Sequence, residues 1–521
     1  MMANASQWST LTSIATLGTN RGAPALERIW PTNELVMPAN LPPERALLRA
    51  AAASFLWQLA GARIAAREPP ALERAPSVES PQVSEVAAWR LARMFSGDHR
   101  DLVPEWFSLA ARAGAVLPPH WLPVALSALQ PGERVAAAPV LGARAQWLAQ
   151  QNPEWAEVMT ATGGLPIDRW NNGTLPQRRA ALASMRGVDP TGARIWLERS
   201  WQTEPPDARV AFLETLLQSP GLSDADEAFL EGALNDKRKE ARNAAMECLC
   251  RLPRSAHAAR NLERLRPLLV LTEVEKGLLS RFKSRKLEVT LPESLDKAAV
   301  RDGINAKPPA QQKIGERAYW LMQMVAMAPP AHWCERFQCD INTFMQSVLA
   351  CDFSQELITA LSHASIRHSD SEWITPLSME LLKWFSQPER LAAASQLLPA
   401  LVSAVPPGAA RDALLQKLFT AGGTAQLELL EPALTATDWS AETTRLVFNL
   451  LDKRVQADTA QYSHSRQALV RWGMRAETAA AHEEIARLIG HCADKSPWKN
   501  ALEALQDIIE FRLAMKQELL T

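Results

Sequence analysis

The 521-residue chain has only two Tyr and six Cys, and its 56 Lys and Arg nearly cancel 57 Asp and Glu, leaving a net charge of −1. Six cysteines at this length make no disulfide framework, and no two stand at C-x-x-C spacing. Cys248 and Cys250 are two apart, on opposite sides of a helix, and Cys334, Cys339, Cys351 and Cys492 are scattered. A balanced charge removes whole-molecule attraction to nucleic acid or membrane. The most apolar stretch, residues 47–66, is interrupted by Arg49, Gln58 and Arg63, so no window reaches the ~18 apolar residues of a spanning helix. Met1 to Arg21 lacks the basic-then-apolar order of a secretory leader. The expectation is a reduced, cytoplasmic protein with no membrane segment.

Signatures of chemistry are missing too. Ala421-Gly-Gly-Thr424 is the richest glycine stretch, but it has neither the Lys nor the spacing that cradles phosphates. His363 and His368 are five apart and do not share a helix face. His482-Glu483 opens like a zinc-protease helix, yet Ala486 stands where the second His belongs. His332 and Cys334 have no second pair of ligands. There is no G-x-S-x-G elbow, and the S-x-x-K matches at Ser280–Lys283 and Ser496–Lys499 lack their companion motifs. The chain is therefore expected to have no catalytic residue, no metal and no cofactor, and not to be an enzyme.

Helical periodicity dominates what is present. Leu47, Leu48, Ala51, Phe55 and Leu59 recur on one face, as do Leu502, Leu505, Ile509 and Leu513, with Glu503, Asp507 and Glu510 outside. Asn152-Pro153, Asp189-Pro190 and Ser496-Pro497 each set a capping side chain before a helix-starting proline. Thr272-Glu-Val-Glu275 fits a capping box. Lys286-Leu-Glu-Val-Thr-Leu291 is the one run that reads as extended. The eighteen Trp are spread from Trp8 to Trp498 and read as wedges between helices.

The centre repeats. Arg-x-Ala followed by an apolar residue occurs as Arg178, Ala180, Met185; as Arg209, Ala211, Leu216; and as Arg242, Ala244, Leu249, at intervals of 31 and 33 residues. Other helices, at about 190–201 and 223–234, fall between these segments, and a helix pair every thirty-odd residues predicts an α-solenoid. The fold class is thus all-α, a HEAT-like α-solenoid core with flanking helical regions. The expected organisation is an N-terminal helical region over 1–150 with a Pro- and Ser-rich loop at 68–84, a repeat core over 151–283, and a C-terminal helical region over 284–521.

Several stretches, in order along the chain, resemble an uncharacterised bacterial family, a domain of unknown function. They are Leu17-Gly-Thr19 with Arg21; Asp189-Pro190 with Ala193-Arg194 and Trp201; Arg301-Asp-Gly-Ile304; Gly315-Glu-Arg-Ala318; Pro329-Pro330 with Trp333; Trp439-Ser440; and Phe511-Arg512. The resemblance implies company rather than chemistry. Its members are encoded beside MoxR-type AAA+ ATPases, von Willebrand factor A-domain proteins and SWIM zinc-finger proteins, and the family supplies no site residues.

One charged feature stands out. Between Lys237 and Lys286 lie fourteen Lys or Arg against five Glu, a surplus of nine in 50 residues, just after the acidic stretch Glu214 to Glu231. The candidate partner-binding residues are Lys237, Arg238, Lys239, Arg242, Arg251, Arg254, Arg260, Arg264, Arg266, Arg281, Lys283, Arg285 and Lys286. A solenoid would display them as a stripe facing an acidic protein surface or phosphates. The same residues on a solvated outer face need no partner. The segment lacks the one-sided Trp and Phe of a membrane-surface helix. The expected function is a non-catalytic scaffold or adaptor, its partners being the AAA+ ATPase and the von Willebrand A-domain protein that the resemblance implies. The alternative is a nucleic-acid-binding HEAT-like protein, on the fold-level analogy of alkyl-base DNA glycosylases, which set a carboxylate and tryptophans in a basic cleft.

Overall fold

A computed structural model gives the fold of residues 2–19, 41–59, 74–155, 158, 166–275, 283–310, 312–423, 426–457, 465–493, 496 and 498–520. Among them helix dominates, and strand is confined to one hairpin and one isolated bridge. The chain divides into two compact units, Met1–Ala75 and Pro76–Thr521. That division falls inside the Pro- and Ser-rich stretch 68–84, of which residues 68–73 lie outside the described residues. Residues 150 and 283, where regional boundaries were expected, both fall within the second unit.

In the first unit, α1 (Met2–Leu17) and α2 (Pro43–Leu59) meet through Leu11, Ile14, Ala46 and Ala50. The periodicity of α2 predicts Leu48 and Phe55 on its buried face; instead they are 68 % and 54 % exposed. The face turned inward is Ala46, Ala50 and Ser54, four apart, whose small side chains let α1 approach closely.

The second unit begins with a pinned strand-like segment. The Val83 N–H donates to Val116 O at 3.0 Å, and the Val116 N–H donates to Pro81 O at 2.8 Å. Ser84 then caps α3 (Glu85–Phe95), which packs with α4 (Val103–Arg112) and α5 (Leu122–Ala128), while α6 (Pro131–Gln151) lies along α4. The next helices are α7 (Pro166–Asn172), α8 (Leu175–Val188), α9 (Pro190–Ser200), α10 (Pro206–Gln218), α11 (Glu227–Ala233), α12 (Lys239–Cys250) and α13 (Ala256–Leu265). Asp189 caps α9 as its sequence predicts, accepting from the Gly192 N–H at 2.9 Å.

The hairpin β1 (Leu269–Glu275) and β2 (Lys283–Val289) follows, antiparallel, with Leu271 opposite Leu287. It overturns the capping box expected at Thr272–Glu275, which lies in β1. The segment from Leu269 alternates β-branched and other residues, and a partner strand accepts its backbone hydrogen bonds. The extended run from Lys286 is the end of β2.

Beyond the hairpin come α14 (Lys297–Arg301), α15 (Glu316–Met327), α16 (Ala331–Phe337), α17 (Ile341–Leu349), α18 (Ser354–His368), α19 (Ser371–Trp384), α20 (Leu391–Ala404) and α21 (Ala409–Gly422). The chain finishes with α22 (Gln426–Leu429), α23 (Glu431–Ala436), α24 (Ala441–Gln456), α25 (Ser465–Arg475), α26 (Thr478–His491) and α27 (Lys499–Leu520). Helices contact their second neighbours: α8 meets α10, α10 meets α12, α18 meets α20, α24 meets α26 and α25 meets α27. In these stretches alternate helices therefore pack on one another. Trp106, Trp333, Trp373 and Trp384 fill the layers and are fully buried.

The last helix returns to the first ones of this unit. α27 packs against α3 and α4, and one hydrophobic core runs from Val83–Val158 straight into Cys250–Leu519. Residues 170–252 have a separate core around Phe212, Leu213 and Leu249. No described helix is long and apolar enough to cross a membrane.

Candidate partner-binding surface

Arg178 of α8 donates through Nε to Trp170 O at 2.8 Å, capping the end of α7, and grips the Glu204 carboxylate through both Nη atoms. Its guanidinium lies 4.6 Å from the Trp170 ring and 4.9 Å from Phe212. Arg209 of α10 pairs with Asp236 at 3.2 Å beside the Trp201 ring. Arg242 of α12 donates to Asp236 O at 2.8 Å and Lys237 O at 3.0 Å. The Arg of each repeat thus holds carbonyls or a carboxylate on the chain before or after its helix. The paired Ala is buried at Ala211 and Ala244 but exposed at Ala180, where Ala181 packs inward instead.

Most of the basic stretch is matched by acids of the same fold. Arg238 pairs with Asp207 at 2.9 Å and Glu240 at 3.4 Å, Arg254 with Asp224 at 3.0 Å, and Arg266 with Glu263 at 3.8 Å. Arg260 bridges Glu231 at 2.8 Å and Asp302 at 2.7 Å, and Arg264 reaches Asp302 at 2.7 Å. Arg285 stands 3.9 Å from Glu273. Arg251 donates to Leu217 O at 2.8 Å. The acidic stretch that precedes the basic one supplies two of these partners, Asp224 and Glu231. Lys237, Lys239 and Lys286 are exposed and make no ion pair among the described residues. Arg281 lies outside the described residues, and of Lys283 only the backbone, in β2, is described.

Asp302 is the hub of this network. It is buried, and it accepts from Arg260, Arg264 and Arg301. Burial pushes its carboxyl upward, but the guanidiniums of Arg260 and Arg264 outweigh that and hold it below the usual range. Next to it, Gly303 has φ +103°, and a Cβ there would sit 2.6 Å from Met246 Cγ, so both backbone and space exclude a side chain. The His257 ring meets Asp302 O at 2.8 Å, and burial lowers its pKa.

A second cluster joins elements 120 residues apart. Arg367 of α18 grips Glu247 of α12 at 2.9 and 3.0 Å and also caps Ala326 O at the end of α15. Burial raises the Glu247 carboxyl, yet Arg367 brings it below its ordinary value. His363, one turn before Arg367, is open to solvent but crowded by protein, and that crowding, reinforced by Arg367, lowers its pKa. Arg251 and His368 complete the cluster electrostatically. Its residues come from two distant helices, and no spacing in the sequence connects them. Among the described residues no group of three or more His, Cys, Asp or Glu is placed to hold a metal ion.

The stretches that carry the family resemblance sit at structural joints. Asp189 is a cap, Arg301 and Asp302 belong to the ion network, and Arg317 donates to Pro292 O at 2.7 Å. Trp333 is fully buried, Ser440 caps α24, and Arg512 reaches Glu105 at 2.8 Å. A family model described as "Family of unknown function (DUF5691)" matches residues 10–519. The chain belongs to this family. No curated protein matches it. The DUF5691 member described here is thus defined by how its helices are tied together, with the sequence-picked cations largely part of those ties.

Proposed function

We propose that the protein is a non-catalytic adaptor, a HEAT-like α-solenoid that holds partner proteins in a MoxR-type AAA+ ATPase and von Willebrand A-domain system. The observation that supports it is the second-neighbour packing of helices in two stretches, α8 to α12 and α18 to α27, with Arg178 and Arg512 capping helix ends in each. An α-solenoid has a concave side of the kind on which such proteins seat partners.

Among the described residues of the basic stretch, Lys237, Lys239 and Lys286 are exposed cations without an ion pair, and they suit an acidic protein face. The nucleic-acid alternative needs a free carboxylate in the basic cleft, whereas Glu247 and Asp302 are tied to arginines. Affinity capture of the tagged chain from its native host tests the reading. The expected result is enrichment of an AAA+ ATPase or a von Willebrand A-domain protein, lost by roughly tenfold or more in the Lys237→Glu, Lys239→Glu, Lys286→Glu variant. Absence of both proteins above control ends the partner proposal. Salt-sensitive retardation of DNA by the wild type would favour the alternative.

A further inference from the structure

Cys334 lies in the second turn of α16, and Cys339 lies two residues past the helix end. Between them Gln338 adopts left-handed backbone, φ 49° and ψ 53°. That turn folds the chain back so that the Cys339 N–H donates to Cys334 O at 3.2 Å. This is the six-to-one hydrogen bond of a helix C-terminal motif, and it brings together the side chains at its two ends, an apolar pair in most helices. Here both are thiols. Each influences the other's ionisation, and both are half-buried rather than sealed.

Arg285 of β2 holds the same turn. Its Nη1 donates to Phe337 O at 3.1 Å and to Gln338 O at 3.2 Å, which sets the guanidinium beside Cys339, where its charge favours the thiolate. The other cysteines offer a contrast. Cys248 and Cys250 face opposite sides of α12 and are both fully buried.

We propose that Cys334 and Cys339 form a redox-active dithiol that closes into an intramolecular disulfide by exchange with a small disulfide such as glutathione disulfide. A disulfide spans about 4.4–6.8 Å between Cα atoms. Two residues joined by a direct backbone hydrogen bond meet that requirement without rearranging α16.

The exchange runs in two steps. Cys339 gives up its proton, and its Sγ attacks one sulfur of the small disulfide. The S–S bond of the reagent breaks, a mixed disulfide forms on Cys339, and the first thiolate leaves, taking up a proton. Cys334 then deprotonates and attacks Sγ of Cys339. The new S–S bond forms, and the second thiolate leaves and is protonated in turn. The protein is oxidised by two electrons, and one small disulfide is reduced to two thiols. Cys339 is the attacking sulfur because a guanidinium beside a thiol favours the thiolate. Cys334 has no such neighbour, and burial pushes it up to about 11. Burial raises Cys339 as well, so the rate climbs about tenfold per pH unit through the neutral range, as the thiolate fraction does.

The test uses the full, reduced chain with excess glutathione disulfide at about pH 8, followed by acid quench, denaturing alkylation, intact mass and peptide mapping. The expected result is loss of two of the six thiols without a retained adduct, with the cross-link mapped to Cys334 and Cys339. Cys334→Ser traps one glutathione on Cys339, while Cys339→Ser reacts roughly tenfold more slowly. Arg285→Met slows closure several-fold, with helix content unchanged by circular dichroism. The proposal is overturned if all six thiols of the wild type stay alkylatable, if stable adducts accumulate in place of the cross-link, or if the bond joins another pair.

Discussion

Two sets of arginines do the same work in this protein at very different distances along the chain. In residues 170–252, Arg178 holds Glu204, 26 residues away, and Arg186 holds Asp226, 40 residues away. At the closure of the second unit, Arg512 holds Glu105 across 407 residues and Arg90 holds Glu518 across 428. Each set combines a guanidinium–carboxylate pair with a capped helix end: Arg178 takes Trp170 O, and Arg512 takes Gly473 O and Ala476 O at 2.6 and 2.7 Å. The local set belongs to a core of its own, whereas the long-range set lies in the continuous core that unites the first and last helices of the unit. A repeat can therefore be stitched by contacts between adjacent helix pairs, but its ends are secured only by contacts that form once the chain is folded back.

Substitutions should separate the two regions. The largest effect is expected from Asp226→Asn. The Arg186–Asp226 side chains are 0 % and 1 % exposed, and leaving the guanidinium uncompensated costs about 4 kcal/mol in chemical denaturation. Amide protection should fall mainly in 166–252. Arg512→Met should cost about 3 kcal/mol, because Arg512 is buried and Glu105 only partly so. Its signature is loss of protection in both 85–151 and 465–520. If only the C-terminal residues respond, the closure is not a cooperative part of the unit.

The acid response is smaller and staged. His257 has a lowered folded pKa, so its contribution is present above the unfolded value of about 6.5 and is lost as pH falls through the folded value. Asp302, Glu204 and Glu247 are also lowered, so their contribution is present above about 4 and is lost below it. Melting temperature against pH should therefore decline in two stages, and His257→Gln should remove part of the first. The smallest effect is expected from Arg90→Ala: the half-shielded pair with Glu518 at 2.5 Å contributes about 1 kcal/mol, detectable as a shift in the denaturation midpoint.

Much of the helical fold is legible in the residues themselves. Asp189 announces α9 because a carboxylate before proline meets the free N–H groups of a first turn. The Arg178, Arg209 and Arg242 spacing marks α8, α10 and α12, in each of which the arginine ties into a neighbouring segment. Other positions mislead for definite reasons. Thr272–Glu275 has the letters of a capping box, but β2 pairs with it, Thr272 lying opposite Lys286. Leu48 and Phe55 have helical spacing, yet the close approach of α1 selects the small face of α2. The basic stretch is visible as a surplus of nine charges, but its partners Asp207, Asp224, Glu231 and Asp302 come from outside it.

The sequence alone determined that the chain is helical and where many helices begin, because capping, proline geometry and periodicity act over one or two turns and their nearest neighbours. Tertiary structure decided which cations are spent on internal carboxylates, which leucines face water, how Glu247 meets Arg367, and that α27 closes on α3 and α4. Those outcomes depend on which surfaces meet after the chain has turned back, and the contacts join residues tens to hundreds of positions apart with no spacing rule to announce them.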